Sequence, residues 1–294
     1  MCGFGGILRI DGQPIPAAWL DAIDQRIEYR GPDGHGRFRD RTETGAEIGI
    51  VHRRLSIIDL SGGKQPMVSE RGRYESDGLV AVAFNGCIYN HRELRSELIG
   101  RGHRFATDHS DTETLIHGHR EWGDQLTTKL EGMYAFAIWD RAAGTLTLAR
   151  DWFGEKPLFY RTWRGGNGDE APISMVGFAS DPLCLWKIPD PIGFSGSRAA
   201  TAWAVQFLQQ GYIAANASPE ADSGTVTMLP PGTAMQFDSR GTSRSLDALD
   251  TARLTQPAPT TAGAIESLLN RAVRQRLEAD VPLACFLSGG VDSS

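Results

Sequence analysis

MYAFAIWDRAAGTLTLARDWFGEKPLFYR (residues 133–161) contains three strand-like runs in succession, 133–140, 145–151 and 158–161, with only short turns between them. Neighbouring strands joined so tightly pair antiparallel, since a parallel partner needs a crossover of a dozen or more residues. Upstream, VAVAFNG (80–86) reads as a further strand that breaks at Asn85–Gly86, and GFGGILRI (3–10) as an early one. Helices fall between these runs. Residues 16–27 (PAAWLDAIDQRI) carry Trp19, Leu20, Ile23 and Ile27 at helical spacing. Asn90 followed by Glu93 predicts a capped helix ending near Gly100 and Gly102, and Ser110 followed by Glu113 predicts a second one through Trp122. RGPDGHG (30–36) is turn chemistry, with Pro32 fixing φ and the glycines admitting positive values. Several adjacent strands with segregated helices predict an α+β layered fold of largely antiparallel sheets. No internal repeat or long low-complexity tract interrupts it.

The 294 residues are 40 % hydrophobic and 22 % charged, which suits a soluble globular chain of one large or two smaller domains. A net charge of −6 gives no electrostatic reason to expect nucleic acid or an anionic membrane as partner. Cys2, Cys87, Cys184 and Cys285 lie far apart without a C-x-x-C pair, arguing against a disulfide framework or a cysteine zinc site. His117 and His119, two apart on a helix, point to different faces, so no metal site is assigned. No basic region followed by an apolar core opens the chain, and no run approaches the ~18 apolar residues of a membrane span. A reducing cytoplasm is the default location, where Cys2 stays a free thiol.

The character changes at TQPAPTTA (255–262), which reads as a linker. AIESLLNRAVRQRL (264–277) then places Ile265, Leu268, Leu269, Ala272, Val273 and Leu277 on one helical face, VPLACFL (281–287) reads as an apolar strand, and SGGVDSS (288–294) follows at once. Helix, buried strand and glycine turn are how a parallel α/β domain begins. One strand and one helix cannot bury a core alone, so the chain is expected to be a piece of a longer protein. The expected division is a first domain over 2–238, a linker over 239–262 and the start of a second domain over 263–294.

Position 2 carries the chemistry. Cysteine is small, so removal of the initiator methionine is expected to make Cys2 the N-terminus. A terminal amine has a pKa of about 7.7–8.0 and a free thiol about 8.5, so a useful fraction of the amine is neutral at pH 7 and can take the thiol proton without a histidine. Gly3, Gly5 and Gly6 permit close backbone approach. Read from these residues alone, the plainer account is that Cys2 is a small apolar residue in a frayed terminus.

MCGFGGIL, RGPD (30–33), HRRLSIIDL (52–60), FNGCIYN (84–90), HSDTET (109–114) and RDWFGEKPLFY (150–160), in that order, resemble the class II glutamine amidotransferase domain, one of the N-terminal nucleophile hydrolases. FLSGGVDSS (286–294) resembles the pyrophosphate-binding loop that opens the synthetase half of glutamine-hydrolysing asparagine synthetases. The resemblance covers residue 2 to about 181 and again 281–294. It implies an αββα sandwich followed by the start of a parallel ATP pyrophosphatase domain. It implies that Cys2 attacks the side-chain amide of L-glutamine, that Asn85 and the Gly86 N–H receive the oxyanion, and that Arg54 grips the substrate carboxylate beside backbone contacts from Leu55, Ser56, Ile57 and Ile58. Asp111 would hold the α-ammonium. Each has a plainer reading: Arg54 as a salt-bridge residue, Asn85–Gly86 as a turn, Asp111 as a helix-dipole partner. One position departs from the family, where NGEIYN is usual and this chain has NGCIYN. Cys87 stands where a glutamate would give the ammonium a second anchor. A thiol accepts weakly, so poorer glutamine binding is expected, with Cys87→Glu lowering KM.

SGGVDSS lacks the lysine of a Walker A loop, yet its glycines let backbone N–H groups converge on an anion. The resemblance implies that Leu287, Ser288, Gly289, Gly290, Val291, Asp292, Ser293 and Ser294 contact ATP and pyrophosphate, with Mg2+, while L-aspartate is adenylylated and then attacked by ammonia. A homodimer is compatible with it. Two rivals stand beside this reading. One is a related synthetase acting on another carboxylate in secondary metabolism. The other is a degenerate, non-catalytic scaffold, whose sole support is Cys87.

Overall fold

Along the strand Val80–Ile88, Val80, Val82 and Phe84 pack to one side, while Ala81 and Ala83 pack to the other, and all five are buried. A strand buried on both faces belongs to the middle of a layered structure. The computed structural model describes residues 1–69, 78–165, 171–186, 188, 226–246, 260–285 and 288–290. Among them are two six-stranded sheets in which every strand pairing is antiparallel.

Taken in chain order, the first sheet uses β1 (Gly3–Arg9), β2 (Gly34–Arg41), β3 (Glu47–Arg54), β8 (Phe159–Arg164), β9 (Ile173–Ala179) and β10 (Thr227–Met228), in the spatial order β10-β8-β9-β1-β3-β2. The second uses β4 (Met67–Val68), β5 (Val80–Ile88), β6 (Gly132–Asp140), β7 (Thr145–Arg150), β11 (Ala234–Asp238) and β12 (Ser243–Leu246), in the order β12-β11-β7-β6-β5-β4. Three apolar layers result. Phe4, Leu8, Ile48 and Ile50 of the first sheet meet Ala81, Ala83, Ala137, Trp139 and Leu148 of the second. On the outer side of the first sheet, Ile7 and Val51 pack against Leu20, Ile23 and Ile27 of helix α1 (Ala17–Ile27) and against Cys184 and Leu185 of α5 (Leu183–Trp186). On the outer side of the second, Val82 and Phe84 pack against Leu94 of α2 (His91–Gly100), Leu115 and Ile116 of α3 (Asp111–Trp122) and Leu126 of α4 (Leu126–Lys129). Burying one such side chain stabilises the fold by roughly 1.5–3 kcal/mol. This is the αββα sandwich expected from the resemblance.

A polar tie joins the sheets. Asp40 of β2 is buried, and its Oδ2 accepts from Trp139 Nε1–H at 2.8 Å and from Arg141 Nε–H at 2.7 Å. Burial pushes the Asp40 carboxyl up, but these donors more than offset it and hold it below the ordinary range.

Several local expectations change. Asn85–Gly86 does not break the strand: β5 continues to Ile88, with Asn85 opposite Ala135 and Gly86 opposite Tyr134. The turn expected over 30–36 ends early, because β2 starts at Gly34 and pairs with the last residue of β3, Arg54. Asn90 and Ser110 sit at helix starts, yet neither side chain caps. Asn90 instead accepts from Glu131 N–H and donates to the Lys129 carbonyl, and Glu113 accepts from the N–H groups of Ala106 and Thr107. β12 lies inside the stretch expected as a linker, so the boundary expected at 238 falls within the second sheet.

Helix α6 (Ala262–Gln275) covers much of the helix expected over 264–277, but Ile265, Leu268, Leu269, Val273 and Leu277 are exposed. Residues 281–285 form no strand, and residues 286 and 287 of the strand expected over 281–287 lie outside the described residues.

Candidate active site

The starts and ends of central strands from both sheets meet at one cavity of about 260 Å³. In the β1–β3 ladder Gly3 is registered with Arg53. This sets Cys2 beside Leu55, whose carbonyl accepts from the Cys2 Sγ–H at 3.5 Å and whose N–H donates to the same sulfur at 3.3 Å. Arg30 Nε–H donates to the Cys2 carbonyl at 3.0 Å. The residue is therefore held by the sheet and not frayed. Burial raises the Cys2 thiol above its ordinary pKa, opposed by the Leu55 N–H, the terminal ammonium and Arg54. Burial also lowers the pKa of the terminal amine, which in this chain belongs to Met1.

β5 supplies the opposite wall with Asn85, Gly86 and Cys87. Asn85 is 2 % exposed, and its Nδ2 has no hydrogen-bond partner among the described residues. A buried amide donor left unpaired is costly, so its place against a cavity calls for an acceptor there. In a strand, N–H groups two residues apart leave from the same edge. Phe84 N–H donates off that edge to Gln65 Oε1 at 2.7 Å, and Ile88 N–H to Asp111 Oδ2 at 3.2 Å. The Gly86 N–H between them leaves toward the cavity. Only glycine fits there, because a Cβ would press on the Met133 carbonyl and the Phe84 ring.

Arg54 also lines the cavity, although it is occupied in a way the sequence did not suggest. Its Nη1 donates to the Leu60 carbonyl at 2.9 Å, and its Nη2 to the carbonyls of Ile58 and Asp59 at 2.9 and 2.7 Å. It thus holds the loop that carries Leu55, Ile57 and Ile58 on the same wall. Ser56 is not brought to the cavity; its N–H turns to Asp33 Oδ2 at 2.8 Å. Asp111, the first residue of α3, is buried on the far side, and burial raises its carboxyl above the usual range despite His91 and the Ile88 N–H. Cys87 is buried next to it, and its thiol is pushed up to about 12 by desolvation and by the Asp111 charge. It is a neutral thiol at any physiological pH.

No histidine serves Cys2. The fully buried His52 donates through Nε2 to the Phe84 carbonyl at 2.9 Å; with its pKa lowered to about 4 by burial, it stays neutral. Among the described residues no group of three or more His, Cys, Asp or Glu side chains could hold a metal ion. Ser288, Gly289 and Gly290 are exposed and outside the cavity, with Gly289 at φ +74°. Leu287, Val291, Asp292, Ser293 and Ser294 lie outside the described residues. Sequence reasoning missed Gln65, Lys156, Arg276, Glu278 and Leu283, which also line the cavity. Lys156 lies within a block quoted for the resemblance; Glu278 and Leu283 follow α6, about 190 residues beyond β5, where no local pattern points back to it. No helix among the described residues is long and apolar enough to cross a membrane.

Comparisons with known proteins identify the family and the fold. Residues 1–246 match the family described as glutamine amidotransferase domain, and residues 264–294 match the asparagine synthase family. The whole chain is 32 % identical over 299 residues to asparagine synthetase [glutamine-hydrolyzing] 1 of Bacillus subtilis, covering 43 % of that protein. It is 30 % identical over 302 residues to asparagine synthetase [glutamine-hydrolyzing] 3 of the same organism, covering 44 %. The chain thus spans less than half the length of these relatives. Among solved structures, glutamine phosphoribosylpyrophosphate amidotransferase from B. subtilis superposes with a TM-score of 0.54 at 20 % identity, over 85 % of this chain and 50 % of that one, a likeness of fold.

Proposed function

The chain belongs to the glutamine amidotransferase domain family, and from that premise we propose that its cavity hydrolyses L-glutamine to glutamate and ammonia through a thioester on Cys2. The observation that carries the reading is the convergence, in one cavity, of a half-buried thiol, an unpaired buried amide donor at Asn85, a cation at Arg54 and a buried carboxylate at Asp111.

With Met1 removed, the amine that takes the thiol proton is Cys2's own. Sγ adds to the amide carbon of glutamine, and the negative charge that develops on oxygen falls between Asn85 Nδ2–H and the Gly86 N–H. The amine returns its proton to the leaving nitrogen, releasing ammonia and leaving a γ-glutamyl thioester. Water, giving a proton to the same amine, then attacks the thioester, and the thiol recovers its proton as glutamate departs. Donors fixed in advance in a site shielded from water stabilise the transition state without reorganising. Asp111 faces the α-ammonium, and Arg54 turns its remaining donors to the α-carboxylate. The ammonium would favour the ionised form of Asp111, since an adjacent opposite charge offsets desolvation.

In the longer protein, the ammonia is proposed to reach an L-aspartate adenylylated by ATP, giving asparagine. ATP with Mg2+ would serve that second reaction. Of the residues expected at the ATP loop only Ser288, Gly289 and Gly290 are described, and no donor set for Mg2+ is found among the described residues, so no step is routed through them. The test is ammonia and glutamate release from L-glutamine, with intact-mass analysis of the terminus. Turnover that disappears in Cys2→Ala, in material whose mass shows methionine removed, supports the reading. Full turnover with methionine still attached would refute it.

A further inference from the structure

The segment after α6 folds back across the mouth of the cavity and is fastened at both ends. Arg276 places its guanidinium 4.8 Å from the centre of the Tyr89 ring. Asp280 N–H donates to the Ile57 carbonyl at 2.8 Å, while Asp280 Oδ2 accepts from Asp59 N–H at 2.7 Å and meets His109 Nε2 at 2.6 Å. Between these fastenings lies Glu278, on the cavity wall. Arg92 Nε and Nη2 both donate to one of its oxygens, Oε1, at 2.9 and 2.5 Å. Among the described residues no donor is found for Oε2. The buried His91 Nε2, itself without a hydrogen-bond partner, lies 4.0 Å from Oε1.

An α-ammonium has three N–H donors and needs acceptors for them once it leaves water. The wall offers few. One Asp111 oxygen already accepts from Ile88 N–H, and Cys87 is a neutral thiol and a weak acceptor. Asp111, Cys87 and Glu278 all line the same cavity, and the charges of both carboxylates bear on the Cys87 sulfur. As a purely structural pair, Glu278 with Arg92, which is 60 % exposed, would be worth about 0–1 kcal/mol and would have no need of the cavity wall.

We propose that Glu278 is the second anionic contact for the α-ammonium of bound glutamine, entering from the far end of the chain where position 87 supplies no charge. Arg92 is then a positioning residue that aims the free oxygen inward. This inference rests on the reading of the cavity as a glutamine site.

The test is steady-state kinetics on the full chain with L-glutamine and with glutaramate, the same molecule without its α-amine. Glu278→Gln is expected to raise KM for glutamine about 10- to 100-fold, the loss of one charge-assisted hydrogen bond, with kcat changed far less. KM for glutaramate should stay where it is. Adding Cys87→Glu to Glu278→Gln should recover most of the loss. An unchanged KM for glutamine, or an equal shift for both substrates, overturns the proposal. Calorimetry of glutamine on the Cys2→Ala chain, with and without Glu278→Gln, separates the two readings. Binding weakened by Glu278→Gln in a protein whose wild type shows no turnover would sink the hydrolase and keep the contact. Turnover with affinity unmoved by Glu278→Gln would do the reverse.

Discussion

Replacing Asn85 with alanine should separate catalysis from stability. In the resting structure Asn85 Nδ2 is buried and has no acceptor among the described residues. The fold already bears its desolvation, roughly 1–3 kcal/mol for an amide group without a partner. Alanine relieves that cost and loses the packing of a few atoms, so the two terms nearly cancel and stability should move by less than about 1 kcal/mol, within a few degrees of Tm. The chemistry has no such offset. If Nδ2 is reserved for the oxyanion, its loss removes about 2.7–4 kcal/mol of transition-state stabilisation, and kcat falls about 10²- to 10³-fold. KM should change little, because the charge forms only in the transition state. Glutaminase kinetics and thermal melts on Asn85→Ala check both halves. A kcat within tenfold of wild type would refute the oxyanion role. A stability loss above about 3 kcal/mol would show that the amide is part of the fold and not held in reserve.

Alkylation by iodoacetamide at about pH 8 should mark Cys2 and the exposed Cys285 and spare Cys87 and Cys184, both buried with thiols pushed up to about 12, as peptide mass spectrometry would show; Cys87 reacting faster than Cys2 would contradict its burial as a neutral thiol. Asp40→Ala leaves the fully buried Trp139 Nε1–H without an acceptor between the sheets, so denaturant melts should show a loss of about 1–3 kcal/mol with activity per folded molecule unchanged. The Asp280 hydrogen bond raises the His109 pKa, so what this pair contributes is fully present below the ordinary histidine value and is lost as pH rises through the raised one. As pH rises above the ordinary histidine value the wild type should therefore lose stability that His109→Gln does not, and melts over a pH series measure the difference.

The strands over 133–161 were legible because their apolar runs are long and their turns short. β2 was not: its GHGRFRDR run is half polar with glycine at alternate positions, and only the neighbouring β3 makes it a strand. Asn85–Gly86 misled for a physical reason. The pair is a strong local turn signal, but antiparallel pairing to Ala135 and Tyr134 on one side and the close approach of the Met133 carbonyl to Gly86 override it. That override makes the site, since a turn would aim the Gly86 N–H elsewhere, while a continuous strand sends it off the same edge as Phe84 and Ile88. The reactive residue types at Cys2, Asn85 and Asp111 could be picked from sequence by their chemistry. Which donors Arg54 has already committed, and which carboxylate faces Cys87, depend on chain segments that meet only on folding.

The same geometry bears on why a nucleophile at the very end of a chain can be placed well enough to react. Termini fray unless something ties them down. Here Gly3 to Arg9 are all buried and paired with β3, and from Gly5 onward with β9 as well, so the ladder reaches to within one residue of the sulfur. Close neighbours replace side chains along it. A Cβ on Gly5 would meet Ile23 and the Phe178 carbonyl, and one on Gly6 would meet the Gly49 carbonyl and the Phe178 ring. The close backbone approach these glycines permit is used in full, with neighbours in the space a side chain would take. Their role is to draw β1 tightly between β3 and β9, and that tightness carries the precision of the scaffold to Cys2, whose thiol is then fixed by both polar groups of Leu55.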